Sequence, residues 1–115
     1  MNTEGPDVRL TAQAGSTLAI ALHELATNAA KYGALASPGG RIQLVWRLVK
    51  SDRVEFVWSE TSDPPRPAVI GEGFGTGFIK RSIEYEMQGE VSVEPTAEGL
   101  RWTIVFPLQG NLQDR

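Results

Sequence analysis

Apolar residues change their spacing along this chain, and those changes leave few folds open. Leu18, Leu22, Leu25, Ala26 and Ala29 recur at intervals of three and four, which draws one apolar stripe along a helix. Ser16 or Thr17 can cap its start and Gly33 can end it. Over residues 39–49 the period becomes two: Ile42, Leu44, Trp46 and Leu48 alternate with Gln43, Val45 and Arg47, as in a half-buried strand. A polar turn at Ser51 and Asp52 leads to Val54, Phe56 and Trp58, so the two runs read as a hairpin. Helical spacing returns over residues 76–88, with Phe78, Ile79, Ile83 and Met87 on the buried side and Gly89 as the stop. Val91 and Val93, then Trp102, Ile104 and Phe106, make two closing strands around a turn near Gly99. With a β-like piece at residues 8–10, the order is β-α-β-β-loop-α-β-β. It predicts an α+β fold with helices on one face of a largely antiparallel sheet. The polar tail from Gln109 is expected to fray.

A chain of 115 residues can bury a core without metal or disulfide staples, and one domain over 1–115, with its core at about 8–107, is the expectation. The absence of cysteine removes zinc-finger, iron–sulfur and thiol-nucleophile chemistry. A formal charge of −3 argues against broad nucleic-acid binding. No apolar run approaches the ~20 residues of a membrane span, and the N-terminus lacks the pattern of a secretion signal, so a cytoplasmic domain without membrane contact is expected.

Chemistry concentrates in two places. On the first helix, Glu24, Asn28 and Lys31 lie at i, i+4 and i+7, with Tyr32 one position further. A carboxylate, an amide oxygen and an ammonium on one stripe can orient a water or a metal and meet a phosphate, although a solvated ladder of side chains has the same spacing. His23 beside Glu24 is not half of a zinc-protease motif, because position 27 is Thr. A phosphoacceptor is the other functional reading, weakened because His23 is embedded in the helix that carries Asn28, and a histidine beside an apolar stripe is more often a hydrogen-bonded packing residue. The second place is residues 60–77, where three of the seven prolines and four glycines stand in a long loop of the kind that is usually functional. Gly73, Gly75 and Gly77 run into the second helix, whose N-terminal amides can approach a phosphate, with Lys80 and Arg81 adding charge. The segment is neither a P-loop nor a dinucleotide fingerprint.

Taken together, His-Glu-Leu-Ala-Thr-Asn-Ala-Ala-Lys-Tyr-Gly-Ala-Leu at 23–35, Trp-Ser-Glu at 58–60 and Gly-Phe-Gly-Thr-Gly-Phe-Ile at 73–79 resemble the catalytic, ATP-binding domain of bacterial sensor histidine kinases of the HWE family. That family is named for a His in its N-box and a Trp-x-Glu in its first glycine box. The resemblance implies the Bergerat fold, a two-layer α/β sandwich, with ATP bound between a helix face and a mobile lid at about 61–77. It implies Asn28 as the Mg²⁺ ligand, Glu24 as the carboxylate that polarises the reacting centre beside His23, and Lys31 and Tyr32 near the phosphates. Glu60 would read the adenine amino group. Gly73, Phe74, Gly75, Thr76 and Gly77 would form the lid-closing box, and Thr103 would support the adenine-reading carboxylate. The implied reaction transfers the γ-phosphoryl of Mg-ATP to a histidine outside this chain, on the dimerisation and phosphoacceptor domain of a parent kinase, with a response regulator downstream.

The chain departs from the family where Ser62 and Asp63 replace glycines after Trp-x-Glu, which is expected to stiffen the lid hinge because neither residue takes positive φ as cheaply as glycine. That departure motivates an alternative, a degenerate module that keeps the fold for partner docking without catalysis. A repair or chaperone ATPase fits Glu24 and Asn28 but not Trp58-x-Glu60.

Overall fold

A computed structural model of the chain describes residues 2–68 and 76–112. Five strands, β1 (Asn2–Glu4), β2 (Arg41–Val49), β3 (Arg53–Thr61), β4 (Glu90–Pro95) and β5 (Gly99–Pro107), form one sheet in the order β1-β2-β3-β5-β4. Only the β1–β2 pair is parallel. Two helices, α1 (Ala12–Tyr32) and α2 (Thr76–Met87), supply Leu18, Leu25, Ala29, Ile79, Ile83 and Met87 to the same core as the inward residues of the sheet. The result is the α+β sandwich that the period changes predict.

Period two explains which strand residues are inside. In β3, Val54, Phe56, Trp58 and Glu60 are buried in turn, and in β5 Leu100, Trp102, Ile104 and Phe106 face them through the pairs Val54↔Phe106, Phe56↔Ile104, Trp58↔Trp102 and Glu60↔Leu100. Phe56 stacks on both Trp46 and Phe106, with ring centroids 5.5 and 5.8 Å apart. Among the described residues, no helix is long and apolar enough to cross a membrane.

Several boundaries differ from the sequence reading. The first strand is not residues 8–10: the free edge of β2 is taken by Asn2–Glu4, a pairing made by backbone groups that needs no apolar side chain. Residues 8–10 supply only a single bridge, Leu10 to Leu112. Helix α1 begins earlier than Ser16, because Ala12 to Ala14 favour helix and Thr11 caps them, its hydroxyl accepting from the Ala14 amide at 3.1 Å. Phe78 is 46% exposed and lies off the buried stripe. At the end of α2 the left-handed residue is Gln88 (φ 55°), and Gly89 is required for a different reason. A Cβ there would press on Val105 O, Ile83 and Phe106. The tail does not fray at Gln109: Asn111 is buried, donates from Nδ2 to Met87 O and Pro107 O at 2.9 Å each, and accepts from the Thr11 amide at 2.9 Å.

Candidate nucleotide-binding site

The site is built where α1 ends against β3. Strand β3 runs past Trp58 to Thr61, so residues read as loop are still in the sheet, and strict alternation turns Glu60 inward to 3% exposure. A charged group in that position needs donors. It has two: the Trp58 indole Nε1 donates to Oε2 at 2.8 Å and the Ala34 amide donates to Oε1 at 3.1 Å. Trp58 reaches because i and i+2 of a strand share a face. Ala34 reaches because α1 stops at Gly33 and the chain turns into a single 3-10 turn, Ala34–Ala36. Gly33 closes the helix with a negative φ of −124°, so handedness does not demand glycine there. Proximity does, since a Cβ on Gly33 would collide with Glu60 Oε1.

Beside this carboxylate lies a cavity of about 370 Å³, lined by Tyr32, Gly33, Ala34, Glu60, Ser62, Arg66, Pro67, Ala68, Gly99 and Leu100. Its outer wall is the chain after β3. Ser62 donates its amide to Glu98 O at 2.8 Å and Ala68 donates to Gly99 O at 2.9 Å, so residues 62–68 are tied to the β4–β5 turn. Neither Ser62 nor Asp63 has a positive φ. The backbone there makes no demand for glycine, so Ser62 and Asp63 hold it without strain.

On α1 the expected stripe divides. Asn28 is buried (5% exposed) rather than on an outer polar face, Glu24 one turn before it is half-buried, and Lys31 and Tyr32 are exposed at the helix end. Tyr32 and Glu60 meet in the cavity wall. His23 does not: it is exposed, and five residues before Asn28 it lies well round the helix from the buried stripe. Its backbone carbonyl accepts from Thr27 Oγ1 at 3.0 Å. Thr103 is a second correction. It pairs with Val57 and so lies on the sheet face opposite Glu60, and the β5 residue paired with that carboxylate is Leu100. Thr76 and Gly77 open α2, where the Thr76 hydroxyl is buried without a partner among the described residues and the Arg81 guanidinium lies over Gly77. Gly73, Phe74 and Gly75 lie outside the described residues. Sequence reasoning missed Arg66, Ala68 and Leu100 in the wall. Of these, Leu100 was accessible from the alternation of β5, whereas Arg66 and Ala68 carry no periodic signal.

No protein-family model matches the chain. It is 36% identical over 107 residues to the blue-light-activated histidine kinase of Rhizobium johnstonii, covering 92% of this chain and 31% of that protein. It is also 36% identical over 111 residues to blue-light-activated histidine kinase 1 of Erythrobacter litoralis, covering 94% and 30%. The chain thus spans about a third of the length of these curated relatives. Among solved structures, a blue-light activated histidine kinase of Erythrobacter litoralis superposes with a TM-score of 0.74 at 16% identity, over 93% of this chain and 34% of that one. The mycobacterial sensor histidine kinase MprB gives 0.64 at 21% identity, over 92% and 82%. The catalytic domain of the histidine kinase ThkA gives 0.59 at 19% identity, over 80% and 65%.

Proposed function

We propose that the chain is the catalytic domain, of Bergerat fold, of a sensor histidine kinase, that it binds Mg-ATP in the Glu60 cavity and that it presents the γ-phosphoryl to a histidine outside these 115 residues. The observation that carries the reading is the buried Glu60 carboxylate in the wall of a cavity of about 370 Å³. A carboxylate offers about four lone-pair directions, and two are used by Trp58 and Ala34. The remaining capacity suits the exocyclic amine of adenine, whereas guanine presents a carbonyl at the same place.

Phosphoryl transfer asks the protein for positioning and charge stabilisation rather than covalent chemistry. Tyr32, in the cavity wall, and Lys31 beside it at the helix end would bring an aromatic ring and an ammonium toward the phosphates. Thr76 and Gly77 would offer them the N-terminal amides of α2. The residue types suit Mg²⁺, which takes one or two protein oxygens beside phosphates and waters: Asn28 carries an amide oxygen and Glu24, one turn away, a carboxylate. Mg²⁺ supplies neutralisation of charge on the phosphate oxygens when bound with ATP. Asn28 would hold it, and Glu24 would polarise the reacting centre. We assign residues 61–77 as the lid, residues 1–115 as one catalytic unit of the HWE type working in the cytoplasm, and the phosphoacceptor domain of a longer parent and a response regulator as its partners. Relatives named as kinases support transfer over a docking-only role.

Calorimetric titration with Mg-ATP, and with Mg-GTP as control, tests the reading. Removing a charge-assisted hydrogen bond in a buried site costs about 1.5–3 kcal/mol, so Glu60→Ala should weaken ATP binding roughly 10- to 150-fold and GTP binding much less. Equal losses for both nucleotides would remove the base-reading role.

A further inference from the structure

We propose that Trp58 is a positioning residue for base selection, its indole N–H holding the Glu60 carboxylate in the one orientation that reads adenine. The inference rests on the reading of Glu60 as the adenine acceptor. Its own basis is the geometry around that side chain. Two donors grip the carboxylate from different elements, Trp58 Nε1 on Oε2 at 2.8 Å from the same strand and the Ala34 amide on Oε1 at 3.1 Å from the end of α1. Two anchored oxygens fix the plane of the group as well as its place. With one anchor, a glutamate of three rotatable bonds turns about the Ala34 contact and loses its aim.

Trp58 is itself held firmly. It is 3% exposed, pairs across the sheet with Leu44 and Trp102, and its ring borders a second, largely apolar cavity of about 350 Å³ with Ala26, Leu35 and Ile42. The indole N–H is therefore a fixed donor between that cavity and the Glu60 carboxylate. A Phe fills most of the same volume and lacks the donor, so the strand spacing Trp-x-Glu has a physical reason in the reach between i and i+2 on one face.

The test is a double-mutant cycle of Trp58→Phe and Glu60→Ala, read as Mg-ATP and Mg-GTP affinities by calorimetry. Trp58→Phe should lower ATP affinity about tenfold with GTP nearly unmoved, so that the ATP to GTP ratio falls by the same factor. In the Glu60→Ala background the same substitution should change neither affinity by more than about twofold, because the carboxylate through which Trp58 acts is gone. A merely structural tryptophan would lower both nucleotides alike, or by equal factors in both backgrounds, and either result overturns the proposal. If Trp58→Phe fails to fold, the indole N–H resonance of Trp58 in the parent chain gives the answer. It should shift on saturation with Mg-ATP, when adenine shares the carboxylate that the indole holds, and a resonance that stays put overturns the proposal. An ATP affinity unchanged by Glu60→Ala removes the base reading and this inference together. An affinity lost in Glu60→Ala while Trp58→Phe keeps the parent ratio removes this inference alone.

Discussion

Asn111 holds two backbone carbonyls, Met87 O at the last residue of α2 and Pro107 O at the end of β5, and its own carbonyl receives the Thr11 amide at the start of α1. The side chain thus ties the ends of α2 and β5, and the backbone carbonyl of the same residue ties in the start of α1. Asn111→Ala removes the donor from one buried and one part-buried carbonyl, and should destabilise the domain by about 1–3 kcal/mol. Urea unfolding should show a lower midpoint with an unchanged slope. Asn28 is the other buried amide, and its burial alters what its substitution does. Asn28→Ala should abolish the Mg²⁺ dependence of ATP binding, and should also cost about 1–3 kcal/mol of stability because a packed polar group is deleted. Calorimetry well below the variant's unfolding temperature separates the two effects, and Mg-dependent binding equal to the parent's would free Asn28 from its proposed role.

At the scale of elements, the stretch after β3 is anchored where the sequence suggested freedom. Over residues 62–68 the sequence is polar and proline-rich, yet the Ser62 and Ala68 amides donate to the β4–β5 turn and Ala68 packs against the core. Those two amides should already exchange slowly without nucleotide. Mg-ATP should then slow exchange at Thr76 and Gly77, whose amides open α2 where phosphates are proposed to dock. Amide exchange with and without Mg-ATP checks both statements. Unchanged protection at 76 and 77 on saturation would remove the lid assignment.

For the molecule as a whole, the chain accounts for about a third of the length of its curated relatives, and its single histidine is exposed on α1 away from the Glu60 cavity. On the proposed reading, a γ-phosphoryl presented at the end of α1 goes to an acceptor outside this chain. Incubated with Mg-ATP labelled on the γ-phosphate, the isolated chain should retain no acid-labile, alkali-stable label. Label on His23 would show that the helix carries an acceptor rather than part of a nucleotide site.

Amino-acid order alone determined what depends on neighbours a few positions apart. The stripe of Leu18, Leu25 and Ala29, the alternation of β2 and β5, the hairpin and the position of α2 all follow from periods of 3.6 and 2, which local geometry imposes on any chain. The motif residues His23 to Leu35 and Trp58 to Glu60 were legible as a family resemblance. Distances between elements were not. That Gly33 yields space to Glu60, that Asn111 reaches Met87, and that Asn2–Glu4 rather than residues 8–10 takes the edge of β2 are contacts between residues 24 to 41 positions apart. Thr103 illustrates the limit: its strand was predicted, but its face relative to Glu60 is set by the register Glu60↔Leu100, and register is a property of two strands packed on a common core.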